Sequence, residues 1–123
     1  MTIPTDLHYT EQHEWLQLDG DTARVGVTAY AADALGDVVF IELPDVGSKI
    51  SAGETCGELE STKSVSDLFA PADGEVLEIN QAVVDDPALL NDDPFETGWL
   101  FVMRVKGSPQ LLDATAYAEL TEA

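Results

Sequence analysis

Apolar and polar positions alternate along much of this chain, and the alternation is interrupted at short intervals by Gly, Pro, Asn or Asp. That pattern predicts short strands joined by tight turns. Trp15, Leu16 and Leu18 start a strand, Asp19-Gly20 is a two-residue turn signal, and Thr22 to Val27 sets Ala23, Val25 and Val27 on one face. The first hairpin is therefore expected at about 14–18 paired with 22–27. Thr28 suits a helix N-cap and Gly36 a C-terminal stop, and the alanine-rich stretch between them predicts a short helix. Val38-Val39-Phe40-Ile41 is β-branched, short and closely flanked by Gly and Pro, so it reads as a strand.

A loop at Pro44-Asp45-Val46-Gly47 leads to a brief strand near 48–50, and Ala52-Gly53-Glu54 reads as a turn. Two alternating segments, 55–61 and 64–69, then meet at a polar tip. Tight two-residue turns favour Asn or Gly at positive φ. Thr62-Lys63 offers neither, so the turn is of another type or the tip is strained. Pro71-Ala72-Asp73-Gly74 is a turn and Glu75 to Ile79 a strand. Asp86-Pro87 reads as a cap with proline at the first helical position, opening a helix over about 87–90 that Asn91-Asp92-Asp93-Pro94 ends. Trp99 to Val105 is a long apolar strand. Asp113 caps a last helix, with Leu112 and Tyr117 placed as a hydrophobic staple and Tyr117 and Leu120 as its inner face. At least seven short strands and three short helices predict a mainly β fold, a sandwich or flattened barrel.

The length of 123 residues fits one domain, 1–123. Five basic against 24 acidic residues give a net charge of −19. Such a field repels a nucleic-acid backbone and an anionic membrane surface, and it points to partners with basic docking faces. Cys56 is the only cysteine, which excludes an intramolecular disulfide and cysteine-based metal motifs. No apolar run reaches the length of a membrane span, and the start Met1-Thr2-Ile3-Pro4 has no signal-peptide features. These features lead to the expectation of a complete, monomeric protein of the bacterial cytoplasm.

Little in the chain looks like a self-sufficient active site. His8 and His13 lie five apart with no third ligand cluster, and Asp85-Asp86 and Asn91-Asp92-Asp93 lack the calcium-loop pattern; helix capping accounts for them better. There is no nucleophile elbow and no Gly-rich phosphate loop. Glu14 and Asp67 are candidate paired carboxylates, although spacing alone does not bring them together. Lys63 is the only basic residue between Lys49 and Arg104. An amine at a hairpin tip flanked by carboxylates is a possible handle for covalent attachment. On these residues alone a solvated surface lysine is the commoner meaning. The absence of catalytic groups favours a carrier or binding module over an enzyme.

A series of ordered segments changes that weighting: His13-Glu14-Trp15, Val27-Thr28 with Tyr30-Ala31, Leu35-Gly36-Asp37-Val38-Val39-Phe40, Glu42-Leu43-Pro44, Val46-Gly47, Glu60-Ser61-Thr62-Lys63-Ser64-Val65-Ser66-Asp67-Leu68, Ala70-Pro71, Gly74-Glu75-Val76, Asn80, Asn91 with Pro94, and Gly98-Trp99-Leu100. From about residue 7 to about 121 the chain resembles the glycine cleavage system H protein family, whose members are non-catalytic lipoyl carriers. The resemblance implies a biotinyl/lipoyl-type fold of two antiparallel sheets with short helices, including one at the C-terminus. It implies lipoic acid bound covalently to Lys63. Gly47, Glu60 and Gly74 match positions that lipoate-attaching enzymes need, the two glycines shaping the turns around the hairpin. Glu14 and Asp67 match residues lining the cleft that holds the loaded arm. The implied partners are glycine decarboxylase (P protein), aminomethyltransferase (T protein), dihydrolipoamide dehydrogenase (L protein) and a lipoate ligase or octanoyltransferase. Thr62 and Ser64 depart from the Val and Ala usual beside the lysine, Cys56 replaces a larger residue, and Gln12 stands where members vary.

Three other readings compete. An H-like protein can relay lipoyl groups to other complexes. A biotin carrier prefers Met beside its lysine, where this chain has Thr62 and Ser64. An unmodified acidic interaction domain is the alternative from a different class.

Overall fold

The computed structural model describes residues 3–121. In chain order the elements are β1 (His8–Tyr9), β2 (Glu14–Asp19), β3 (Thr22–Val27), α1 (Ala29–Leu35), β4 (Val38–Glu42), β5 (Lys49–Ile50), β6 (Thr55–Ser61), β7 (Val65–Phe69), β8 (Gly74–Ile79), α2 (Gln81–Asp85), α3 (Ala88–Asp92), β9 (Phe101–Val105) and α4 (Ala114–Thr121). The strands form a six-stranded sheet, β1-β2-β3-β9-β8-β5, and a three-stranded sheet, β4-β6-β7. Every pairing is antiparallel. The two sheets do not close on each other, so the fold is a sandwich and not a barrel.

The first hairpin forms where the alternation puts it, with Ala23, Val25 and Val27 buried. Its turn is centred one residue later than Asp19-Gly20: Asp19 pairs with Thr22, leaving Gly20 and Asp21 at the tip. Gly20 takes the positive φ (62°) that the first central position of a type II′ turn requires. α1 also follows its caps. The Thr28 hydroxyl accepts from the Ala31 amide at 3.2 Å, and Gly36 stops the helix at φ 79°.

Local signals mislead around residues 80–93. Asn80 caps an unexpected helix, α2, its side chain accepting from the Ala82 amide at 3.2 Å. Asp86 ends that helix and does not cap the next, and α3 continues to Asp92 instead of stopping near 90. Asp113 caps α4 as expected, accepting from the Ala116 amide at 2.8 Å, and Leu112 packs with buried Tyr117. Leu120 does not share that inner face; it is 47% exposed.

The main core lies between the sheets. Leu16, Val25, Val76, Phe101 and Met103 meet Ile41, Leu59 and Leu68 from the smaller sheet, with Ala32 and Leu35 of α1 at the side. A second cluster holds the C-terminal helix: Tyr117 stacks on Tyr9 at 4.6 Å, and its hydroxyl meets Thr28 Oγ1 at 2.7 Å and His13 Nδ1 at 2.8 Å. Each fully buried side chain of this size contributes about 2 kcal/mol of transfer free energy. The smaller sheet thus has a rigid backing, and its β6–β7 hairpin projects from that base.

Candidate functional site

Lys63 occupies the tip of the β6–β7 hairpin and is exposed. The turn is built by a side chain. Ser61 Oγ accepts from the Lys63 amide at 3.2 Å and from the Ser64 amide at 3.1 Å, while the Ser61 amide donates to the Ser64 carbonyl at 2.8 Å. The hydroxyl replaces the backbone acceptor of an ordinary tight turn. Neither Thr62 nor Lys63 has a positive φ, which resolves the missing Asn or Gly in favour of a different turn type. Among the described residues the one ion pair is Arg104–Glu75 at 3.9 Å, so no carboxylate holds the Lys63 amine.

The tip rests against the corner between α1 and β4. The Thr62 amide donates to the Asp37 carbonyl at 3.1 Å. The stem of Lys63 crosses the bare face of Gly36, where an added Cβ would lie 2.9 Å from Lys63 Cε. Asn91 of α3 grips the same corner: Oδ1 accepts from the Val38 amide at 2.9 Å and Nδ2 donates to the Gly36 carbonyl at 2.7 Å. Sequence reasoning assigned Asn91 to helix capping and missed this contact; its side-chain partners lie more than fifty residues away. Ser61, two residues before the lysine, was legible in principle as the serine of a local turn motif.

Glu14, at the start of β2, is only 3% exposed. Thr10 Oγ1 donates to its Oε1 at 2.7 Å. Burial pushes its pKa up to about 7, only partly offset by the Thr10 hydrogen bond. Cys56 is pushed up to about 12, first by burial and then by the nearby Glu14 charge, so it stays a thiol and not a nucleophile. Glu14 opens onto a groove of about 620 Å³ whose wall also includes Thr10, Gln12, Gly53, Ala70, Pro71 and Leu111. The groove reaches Ala70, just past the end of β7 away from Lys63.

The remaining candidates are dispersed around this hairpin. Glu60 lies in β6 three residues before the lysine, paired across the sheet with Phe40 and Val65. Asp67 is exposed on β7, in a row with Glu58 and Glu42, whereas Glu14 belongs to the other sheet. Asp67 lies two residues beyond Val65, the start of β7, about 7 Å at the usual strand rise. Gly47 takes φ 89° in the loop before β5, as a turn-shaping glycine should. Gly74 works differently. Its φ is not in the left-handed region, and it is needed because β9 passes so close that an added Cβ would stand 1.9 Å from the Arg104 carbonyl oxygen. His8 and His13 do not form a metal cluster: the described residues contain no group of three ligand-type side chains, and His13 is engaged with Tyr117.

Comparison with known proteins agrees with this architecture. The family model described as "Glycine cleavage H-protein" matches residues 7–123. A glycine cleavage system H protein of Beutenbergia cavernae is 57% identical over 121 residues, covering 98% of both chains. One from Streptomyces avermitilis is 56% identical, again with 98% of each chain covered. The crystal structure of a glycine cleavage system H protein from Mycobacterium marinum superposes with a TM-score of 0.93 at 49% identity, covering 98% of this chain and 100% of that one. With the match running through the hairpin, the corner and the C-terminal helix alike, the chain belongs to the glycine cleavage H-protein family.

Proposed function

We propose that this chain is a single-domain lipoyl carrier, 1–123, acylated by lipoic acid on Lys63, which takes the aminomethyl group from glycine decarboxylase to aminomethyltransferase and is then reoxidised by dihydrolipoamide dehydrogenase. Its family membership supports the carrier role in glycine cleavage. The observation that carries the residue assignment is the Lys63 amine, exposed and unpaired at a turn that Ser61 and the Asp37 carbonyl hold in place. The protein works as a monomer in the bacterial cytoplasm and contributes no catalytic group of its own.

The residues present fit such a group. Lys63 offers a free amine on a supported stem, and β7 leads from it past Asp67 to a groove of mixed polar and apolar lining with the buried Glu14 carboxyl. When bound, the lipoyl group supplies a disulfide that opens to take up a one-carbon unit and closes again on oxidation. Tethering at Lys63 raises the effective concentration of that disulfide at each partner's site. Glu14 and Asp67 supply carboxylates for charge-assisted hydrogen bonds to an amine carried on the arm. Glu60, Gly47 and Gly74 are read by the lipoate ligase or octanoyltransferase, Glu60 directly and the glycines through the backbone they permit.

An intact mass of protein from lipoate-supplied cells, with peptide mapping around Lys63, tests this reading. One lipoyl adduct on Lys63 is expected. An unmodified chain, under conditions where the same ligase modifies an authentic H protein, overturns it in favour of an acidic interaction domain. Loss of glycine cleavage on deletion, with other lipoylated proteins intact, excludes lipoyl relay as the sole role.

A further inference from the structure

We infer that Asn91 is a positioning residue for Lys63, acting through the corner between α1 and β4; this rests on Lys63 being the acylated lysine. Asn91 lies on α3, separated in sequence from the hairpin, yet its carboxamide brackets a segment that touches both the backbone and the stem of the tip. Oδ1 takes the Val38 amide at 2.9 Å. Nδ2 gives one contact to the Gly36 carbonyl at 2.7 Å and a longer one to the Ala32 carbonyl at 3.4 Å. Between the two gripped residues stands Asp37, whose carbonyl accepts from the Thr62 amide at 3.1 Å. Gly36 itself forms the surface against which the Lys63 stem lies.

The chemistry of the carboxamide suits this task. A donor and an acceptor must sit on one short side chain to hold a carbonyl and an amide two residues apart, and asparagine offers both. Both atoms find complementary partners, which fixes the orientation of the amide group. Aspartate, nearly the same shape, keeps the contact to Val38 but sets a carboxylate oxygen against the Gly36 carbonyl. Gly36 ends a seven-residue helix at φ 79°, its amide donating to the Ala32 carbonyl at 3.2 Å, and the Asn91 carboxamide adds side-chain hydrogen bonds across this corner. Without the clamp, the Asp37 carbonyl and the Gly36 surface lose their fixed position, and the attaching enzyme must order the tip itself.

The test compares wild type with Asn91→Asp and Asn91→Ala, and with Leu7→Ala, a truncation in the second hydrophobic cluster, separate from the one that holds Leu35 and Val38, as a control for general destabilisation. Attachment is assayed with a lipoate ligase, lipoate and ATP, in which the Lys63 amine loses a proton and displaces AMP from the activated carboxyl. At a temperature where all variants are folded, kcat/KM is expected to fall about tenfold for the Asn91 variants, carried by KM, because the lysine regains its geometry once the enzyme holds it. The Leu7→Ala control keeps wild-type kinetics. Independently of attachment, hydrogen exchange at the Thr62 amide is expected to accelerate in the Asn91 variants and not in the control. Should Asn91→Ala fail to fold, the near-isosteric Asn91→Asp carries the comparison. Wild-type kcat/KM in the Asn91 variants overturns the inference, as does Thr62 exchange no faster than in the control. If wild type itself takes no adduct, the carrier reading fails, and Thr62 exchange still decides whether Asn91 holds the tip.

Discussion

The Ser61 hydroxyl lies inside the turn that carries Lys63, accepting from the Lys63 amide at 3.2 Å. The same oxygen serves the Ser64 amide at 3.1 Å and donates to the Ser64 carbonyl at 3.1 Å. Ser61→Ala strands two amides and loosens the tip. Its expected cost is about 1–2 kcal/mol in urea unfolding, with a severalfold slower lipoyl attachment at Lys63. Ser61→Thr, which keeps the hydroxyl, should restore attachment; if both variants are acylated at the wild-type rate, the hydroxyl does not shape the site.

Glu14 gives the protein a defined pH dependence. Its folded pKa is raised to about 7 by burial, from an ordinary 4.5. The unfolded chain therefore ionises first as pH rises. The stability contribution is fully present below about pH 4.5, declines as pH rises through about 7, and is flat above that. The decline is on the order of 3 kcal/mol. Glu14→Gln should remove this slope and raise Tm at pH 8 relative to wild type. Equal Tm differences at pH 5 and pH 8 would show that Glu14 does not titrate in this range.

The same carboxyl has a proposed role in the loaded carrier. Replacing Glu14 and Asp67 together by Ala should speed loss of the aminomethyl group from isolated, loaded protein, followed by mass spectrometry over time. An unchanged lifetime sinks the assignment of the arm cleft without touching Lys63.

Gly47 and Gly74 separate two reasons for glycine. Gly47 has φ 89° with open space around it, so Gly47→Ala costs about 1 kcal/mol from backbone conformation alone. Gly74→Ala must push β8 from β9, because its Cβ would stand 1.9 Å from the Arg104 carbonyl; a loss of about 3 kcal/mol is expected. Paired urea titrations check the order. Equal losses would mean that β8 shifts at little cost.

On the outer face of the smaller sheet, Glu42, Glu58 and Asp67 stand in one cross-strand row. Like charges directly opposite each other repel, and no described cation relieves them. A basic partner face would. Transfer between this carrier and its partner enzymes should slow as salt rises from low to physiological strength. Turnover indifferent to ionic strength would argue against steering by this face.

The hairpins, the helix between Thr28 and Gly36 and the capped C-terminal helix were legible in the sequence, because caps, turns and alternating burial act between residues a few positions apart. The ordered motifs around Lys63 likewise point to the family from sequence alone. Residues 80–93 misled local reasoning: Asn80 and Asp86 are both plausible caps, and packing of α2 and α3 against the sandwich chose the first. Leu120 looked like an inner residue from its spacing and is exposed, because α4 is seated chiefly through Tyr117. Only the tertiary structure decided what supports the lysine. The grip of Asn91 on Gly36 and Val38, the rest of Lys63 on Gly36, and the burial that lifts Glu14 to about 7 all join residues tens of positions apart. Chain order carries the short-range terms of the energy. The site depends on long-range contacts, which exist only once the two sheets have packed.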